Sequence, residues 1–304
     1  MTIGVTFPLQ HRIERLAELA REARDAGVHS AWFGQTFGYD SPTLAAIVGR
    51  EAPGLQVGTA AIPIFGRHPL LISSQAQTAQ AATGGRYHLG LALGAARIVE
   101  SAFGIPHTRP IALLREFLTA LRPLIETGSG DFHGELLTAA TPLPATVPGA
   151  EPPTPILVAA MGPQALRVSG ELADGILPYL AGPRALAEHI VPALTAAAEA
   201  AGRPAPRIVA FVPGLVTSDV ETAQQAATAA LAFYESIPSY RRVLDLSGAT
   251  RAADLAVIGD EQALADAVRQ YRDAGATEVV FGSTDLGSEA DRIRTWKLIG
   301  ELAR

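Results

Sequence analysis

Short apolar, β-branched runs alternate along this chain with longer segments of helical period, and that alternation points to a parallel α/β architecture. The runs fall at 2–7, 30–34, 55–60, 87–92, 156–159, 175–178, 207–212 and 278–281. In the first helical segment Ile13, Leu16, Ala17, Ala20 and Ala23 form one stripe, and Gly27 follows as a C-cap. Pro69 opens a helix that Gly84-Gly85 closes, and another lies around 112–125. Ser218 with Glu221 three residues on reads as a capping box. Leu264, Ala267, Val268 and Tyr271 mark one face of the helix before the last run; Ile293, Trp296 and Ile299 mark the final helix. Eight strand-and-helix units are the count for a (β/α)8 TIM barrel, where an open doubly wound sheet more often has about five or six strands. Two stretches break the repeat. Residues 128–155 read as a hairpin plus an extended loop, and 236–258 as an excursion over the barrel mouth, an insertion between strands seven and eight. Apolar pattern resumes at once on either side, so residues 1–304 are expected to form one domain.

Apolar residues make up 48% of the chain and charged ones 18%, enough apolar surface for a large core. The net charge of −6, with no block of Lys and Arg, argues against nucleic acid as a partner. With no cysteine, disulfides and thiolate metal sites are excluded. No apolar stretch is long enough for a membrane span, and residues 1–8 carry no positive charge before their apolar run. A cytoplasmic enzyme is the expectation.

In such a barrel, chemistry belongs at the C-terminal ends of the strands. Those tips are 7–8, 35–39, 60–68, 93–97, 160–164, 178–180, 213–214 and 282–285. They offer Arg67, His68, Arg97 and Asp285 but no carboxylate pair, no metal-ligand cluster and no nucleophile elbow. A rim of small apolar residues suits a flat aromatic ligand. At the fifth tip Ala160-Met161-Gly162-Pro163-Gln164-Ala165 carries Pro163 where a first helical turn would begin, and free N–H groups there favour a phosphate. On its own, such a turn is an ordinary helix start.

Several motifs then occur in order: Gly4 to Pro8 as Gly-x-x-Phe-Pro, Gly58-Thr59-Ala60-Ala61-Ile62-Pro63, Arg67-His68-Pro69, Gly84-Gly85-Arg86-Tyr87-His88-Leu89-Gly90-Leu91, Ala159 to Pro163, and Ala173-Asp174-Gly175. With this ordered set the chain resembles the luciferase-like monooxygenase superfamily, and most of all its branch that uses the deazaflavin coenzyme F420. The resemblance implies a non-proline cis peptide at Ala60-Ala61, with Ile62 beside it, next to the cofactor ring. It places the cofactor phosphate at Met161 and Gly162, with Gln164 and Ala165 opening the helix. It also sets Leu93 and Gly94 beside the ring, and Gln35 in contact with it from the second strand.

The sugar-phosphate dehydrogenases of that branch place an Asp-His pair where this chain has Gln35-Thr36, and a glutamate where it has Ala95. Their activity is therefore not carried over, and no catalytic acid or base is assigned. Phe37 and Tyr39 are candidates to wall an apolar substrate pocket. Arg97 either binds an anionic group or is a solvated loop arginine, and His68 is explained by helix capping alone. His107 reads as a surface-loop residue, and Tyr234 and Tyr240 as packing for the excursion. The expected activity is hydride transfer between F420 and a small organic substrate. The alternatives are an FMN-dependent monooxygenase, or a barrel that binds cofactor without turnover. Exterior helices are compatible with a homodimer.

Overall fold

The computed structural model describes residues 1–282 and 285–303. Eight parallel strands close into a barrel: β1 (Thr2–Thr6), β2 (Ser30–Phe33), β3 (Gln56–Thr59), β4 (Tyr87–Ala92), β5 (Ile156–Ala159), β6 (Gly175–Ile176), β7 (Arg207–Val216) and β8 (Glu278–Gly282). Neighbours pair in chain order, and the ring closes where β8 pairs with both β7 and β1. Helices α1 (Ile13–Ala26), α2 (Ser41–Glu51), α3 (Pro69–Thr83), α4 (Ala96–Phe103), α5 (Pro110–Thr127) and α6 (Pro163–Leu172) connect the first six strands. Gly27 and Gly84 cap α1 and α3 in the left-handed conformation, as their positions predict. Among the described residues no helix is long and apolar enough to cross a membrane.

Two apolar layers hold the barrel. Trp32, Leu157, Leu177, Val209, Phe211 and Val280 fill its interior, and a larger layer lies between strands and helices. Each fully buried large side chain contributes about 1.5–3 kcal/mol relative to exposure. The barrel's N-terminal end is braced by a polar network instead. Glu278, 2% exposed, accepts from Ser30 Oγ, from Trp32 Nε1 at 3.1 Å and from Arg207 Nη2 at 3.2 Å. Arg207 Nη1 donates to His88 Nδ1 at 3.2 Å, and His88 Nε2 faces Gln56 Oε1 at 3.2 Å. Burial, reinforced by the charge of Arg207, pushes His88 down to about 3, so its ring is neutral at pH 7.

Several local expectations are corrected. Helix α2 has Asp40 as its N-cap, accepting from Thr43 N, and Pro42 in its first turn. A helix after each strand is expected of the repeat, but neither α2 nor α4 was placed on particular residues from the sequence. Strand β7 runs past residue 212 to Val216 because a short strand, Val257–Gly259, emerges from the excursion and pairs with it. The rest of the excursion is a helix, Pro238–Ser247, and a 3-10 turn, Ala252–Leu255. Ser218 does not cap the helix Val220–Glu235; Asp219 does, one residue closer, accepting from Thr222 N. On the last helix, Glu289–Leu302, Trp296 and Ile299 are buried but Ile293 is 53% exposed. Arg292 takes its place against the barrel, its guanidinium 4.4 Å from the Trp296 ring centre. The expected hairpin is Asp131–His133 with Thr138–Ala140.

Candidate active site

Strands β3 and β4 pair as far as Gly58 opposite His88 and resume at Ile62 opposite Leu91. Three residues, Thr59 to Ala61, thus face two, Leu89 and Gly90, which is a bulge in the ladder. The Thr59 hydroxyl bridges the gap, donating to Gly90 O at 3.1 Å and accepting from Gly90 N at 2.9 Å. A side chain on Gly90 would overlap the Thr59 carbonyl, so the close approach needs glycine. Ala60 and Ala61 are thereby displaced from the ladder onto the mouth of the barrel. The peptide between them is cis, at the position the resemblance implied.

Four half-exposed residues pack on the interior cluster: Ala60, Ala61, Ala159 and Tyr179. They are the floor of the mouth. Beside them Leu93, Gly94, Met161 and Gly162 are also half-exposed at the tips of β4 and β5. Gly94 takes a left-handed φ of 74°, and a Cβ there would press on Val99 at 3.0 Å. Gly162 is the N-cap of α6, with φ −84° and ψ 149°, and a Cβ built on it meets nothing within 4 Å. Leu166 N bonds back to Gly162 O, but the amides of Gly162, Gln164 and Ala165 have no acceptor among the described residues. An open space next to three unpaired donors at the positive end of a helix is a cradle for an anion.

The other predicted site residues divide. Ile62 is fully buried, so only its backbone is at the site. Gln35 is spent on its own loop: Nε2 donates to Thr36 O at 2.7 Å and Tyr39 O at 3.0 Å, and Oε1 accepts from Ser41 N at 3.0 Å and Arg67 Nη2 at 3.3 Å. Arg67 also pairs with Asp40 at 3.1 Å. Burial disfavours the Asp40 carboxylate, yet bonds from Thr43 and Arg67 outweigh that and hold it below its usual range. Tyr39 donates to His11 O at 3.0 Å, tying the loops after β1 and β2 together. Phe37 is 75% exposed, 6.2 Å from the Phe103 ring. Arg97 is exposed on α4 with no ion pair among the described residues. His68 caps α3 through Leu70 N and reaches Thr138 O at 2.9 Å, the capping role its position predicts. Ser283 and Thr284 of the eighth tip lie outside the described residues.

Three features of the mouth were not expected. His107 turns inward: its ring stacks on Phe65 at 4.4 Å and its Nε2 donates to Leu93 O at 3.3 Å. Tyr179 stands on the floor itself, and a tyrosine among apolar tips was the signal for it. Tyr234 and Tyr240 do pack the excursion, as expected, but they pack it against Tyr179, with ring centres 5.1 and 6.1 Å away. Burial raises both phenols above their ordinary value, so they stay protonated at neutral pH.

Two clefts lie away from this floor. One of about 370 Å³ opens at the N-terminal end, lined by Arg122, Thr154, Asp174 and Arg207. Its charges already satisfy one another, with Arg122 and Arg203 on Asp174 at 3.0 and 2.8 Å and Arg207 on Glu278. It is bracing for the barrel. The other, about 280 Å³, lies between the first and last loops near His11, Arg15 and Asp285. Among the described residues, the strand-tip floor joins unpaired backbone donors to an accessible apolar surface. Among the described residues no cluster of His, Asp and Glu could hold a metal.

A family model described as luciferase-like monooxygenase matches residues 1–278. An F420-dependent glucose-6-phosphate dehydrogenase of Kineococcus radiotolerans is 28% identical over 88% of this chain and 86% of its own. The solved F420-dependent tetrahydromethanopterin reductase of Methanopyrus kandleri superposes with a TM-score of 0.83 at 22% identity, covering 99% of this chain and 97% of its own. An F420-dependent secondary alcohol dehydrogenase, solved with an F420-acetone adduct, gives 0.85 at 17%, covering 100% and 99%.

Proposed function

The chain belongs to the luciferase-like monooxygenase family, and from that premise we propose that it is an F420-dependent oxidoreductase acting on a small organic substrate. The observation that carries this reading is the junction of two surfaces at one end of the barrel. Unpaired amides at Gly162, Gln164 and Ala165 adjoin a floor of small apolar side chains, Ala60, Ala61 and Ala159. A molecule with a phosphate at one end and a flat ring at the other fits both. The amides would hold the phosphate, while Ala60, Ala61, Leu93 and Gly94 would lie beside the ring. Bound there, the deazaflavin would supply two-electron hydride chemistry.

What the chain's own residues contribute is binding and order. Gln35, Arg67 and Asp40 form a prebuilt knot that fixes the loop over β2, so the rim does not have to be organised when ligand arrives. Substrate contact falls to Phe37, Phe65, His107 and the tyrosines. The F420-dependent relative of Kineococcus radiotolerans, 28% identical over most of both chains, supports F420 over FMN. The Asp-His pair of the sugar-phosphate branch is replaced by Gln35-Thr36, which argues against a sugar phosphate.

Titration of purified protein into oxidised F420 and, separately, into FMN, followed by fluorescence, tests the reading. The expected result is saturable quenching of F420 at concentrations where FMN is unaffected. Absence of F420 binding overturns it, and tighter FMN binding replaces it with the oxygen-using alternative.

A further inference from the structure

Resting on the reading of this mouth as a cofactor site, we infer that His107 is a positioning residue: its imidazole clasps the tips of β3 and β4 together and so fixes Leu93 and Gly94 in the bed of the cofactor ring. Backbone pairing alone does not do this. After the bulge the two strands pair at Ile62 with Leu91 and Pro63 with Ala92, and Ile64 N adds one bond to Ala92 O at 2.8 Å. Beyond that point no backbone bond joins the two tips among the described residues.

The next residues in line are Leu93 on one side and Phe65 on the other, and His107 takes hold of both. Its Nε2 donates to Leu93 O at 3.3 Å, an oxygen that accepts from no backbone amide among the described residues. Its ring stacks on that of Phe65, with centres 4.4 Å apart and planes 25° from parallel. Phe65 is 5% exposed and belongs to the main core, so the stack ties the tip of β4 to a fixed point. His107 itself is held from behind. Helix α4 ends at Gly104, left-handed at φ 65°, and His107 N then donates to Glu100 Oε1 at 3.2 Å. Ile105 packs on the core, and its Cδ1 lies 3.6 Å from where a Cβ on Gly66 would stand.

The consequence falls on the cofactor bed. Leu93 and Gly94 are half-exposed and lie past the last residue of the ladder, and Gly94 is a glycine at φ 74°. A glycine so placed has several conformations open to it. Ligand affinity falls in proportion to the fraction of molecules already in the binding conformation. One neutral hydrogen bond is worth about a factor of 5, so losing the Nε2 bond lowers affinity by about that much. The loss belongs to the ring end of the ligand, because the amides of Gly162, Gln164 and Ala165 stand on a different strand tip.

His107→Phe keeps a ring against Phe65 and removes the N–H, whereas His107→Gln keeps a donor. Fluorescence titration with F420, and with its deazaflavin chromophore stripped of the phosphate, compares both variants with wild type. The phenylalanine variant is expected to weaken the two ligands alike, by about 5-fold, and the glutamine variant to weaken them less. Gly162→Leu, by contrast, should weaken F420 alone. Hydrogen exchange of the Ile64 amide, read on cofactor-free protein, is expected to quicken by about 5-fold in His107→Phe. If F420 fails to bind wild type, the cofactor reading falls, and Ile64 exchange on its own judges the clasp. Unchanged exchange, unchanged affinity for the chromophore, or an equal loss in the two variants overturns the inference. Should His107→Phe not fold, His107→Ala stands in for it with the same outcomes.

Discussion

Replacing Gly162 with leucine separates folding from cofactor binding. The backbone there, φ −84° and ψ 149°, is open to any residue, and a Cβ meets nothing within 4 Å. The variant is therefore expected to fold, losing only about 1 kcal/mol because leucine is a poorer N-cap than glycine. The space the new side chain fills is the space the unpaired amides of Gly162, Gln164 and Ala165 face. Each bond from such an amide to a charged phosphate is worth about 1.5–3 kcal/mol, so loss of one weakens F420 binding by about 10- to 100-fold. Gly90→Ala is the contrasting control. Its Cβ would overlap the Thr59 carbonyl and Leu177, so it should lose about 1–3 kcal/mol of stability by overpacking. Urea unfolding and F420 fluorescence on the same preparations read both quantities. A folded Gly162→Leu protein that binds F420 like wild type would refute the cradle, and one that unfolds would refute the claim that the space is empty.

Further outcomes follow from the bracing network and the caps. The folded state keeps His88 neutral down to about 3, while the unfolded chain takes up a proton near 6.5. Its contribution is complete above 6.5 and is lost as pH falls from there toward 3, at up to about 1.4 kcal/mol per pH unit; urea midpoints at pH 7.5 and 5.0 should therefore differ less in His88→Gln than in wild type. Glu278→Ala removes the carboxylate that Arg207 Nη2 and Ser30 Oγ donate to, leaving the Arg207 charge without its counter-ion while Trp32 Nε1 keeps Ser30 Oγ at 3.0 Å, and should cost about 3 kcal/mol in urea unfolding. Asp219→Ala should cost about 1 kcal/mol, whereas Ser218→Ala should leave stability unchanged; the reverse order would restore the capping box read from sequence.

The barrel was legible because each buried strand leaves a short continuous apolar run, and eight such runs fit a closed ring better than an open sheet. The turn at Gly162 was legible for the same reason: Gly-Pro before a helical stripe states where the chain turns. Helix α2 starts at a signal the sequence does carry, Asp40 as N-cap with Pro42 and Thr43 behind it, but that signal lies next to a loop of glycines and aromatics with no apolar stripe of its own. Helix α4 could hardly have been read, since it buries only Val99. Gln35 was identified as a site residue, yet its amide is committed to five hydrogen bonds with four neighbours, Thr36, Tyr39, Ser41 and Arg67. A sequence shows that a polar residue stands at a tip, not which of several nearby backbone groups will claim it. Tyr179 escaped for the opposite reason. Its place at the tip 178–180 was legible, but the residues that hold it lie 55 and 61 positions downstream, and no local pattern records that contact.

The most direct test is a crystal structure of the protein soaked with oxidised F420. The account predicts the phosphate on the amides of Gly162, Gln164 and Ala165 and the ring over Ala60 and Ala61. Density for the coenzyme in the Arg122–Asp174 cleft at the other end of the barrel, or an empty floor at saturating coenzyme, would contradict it.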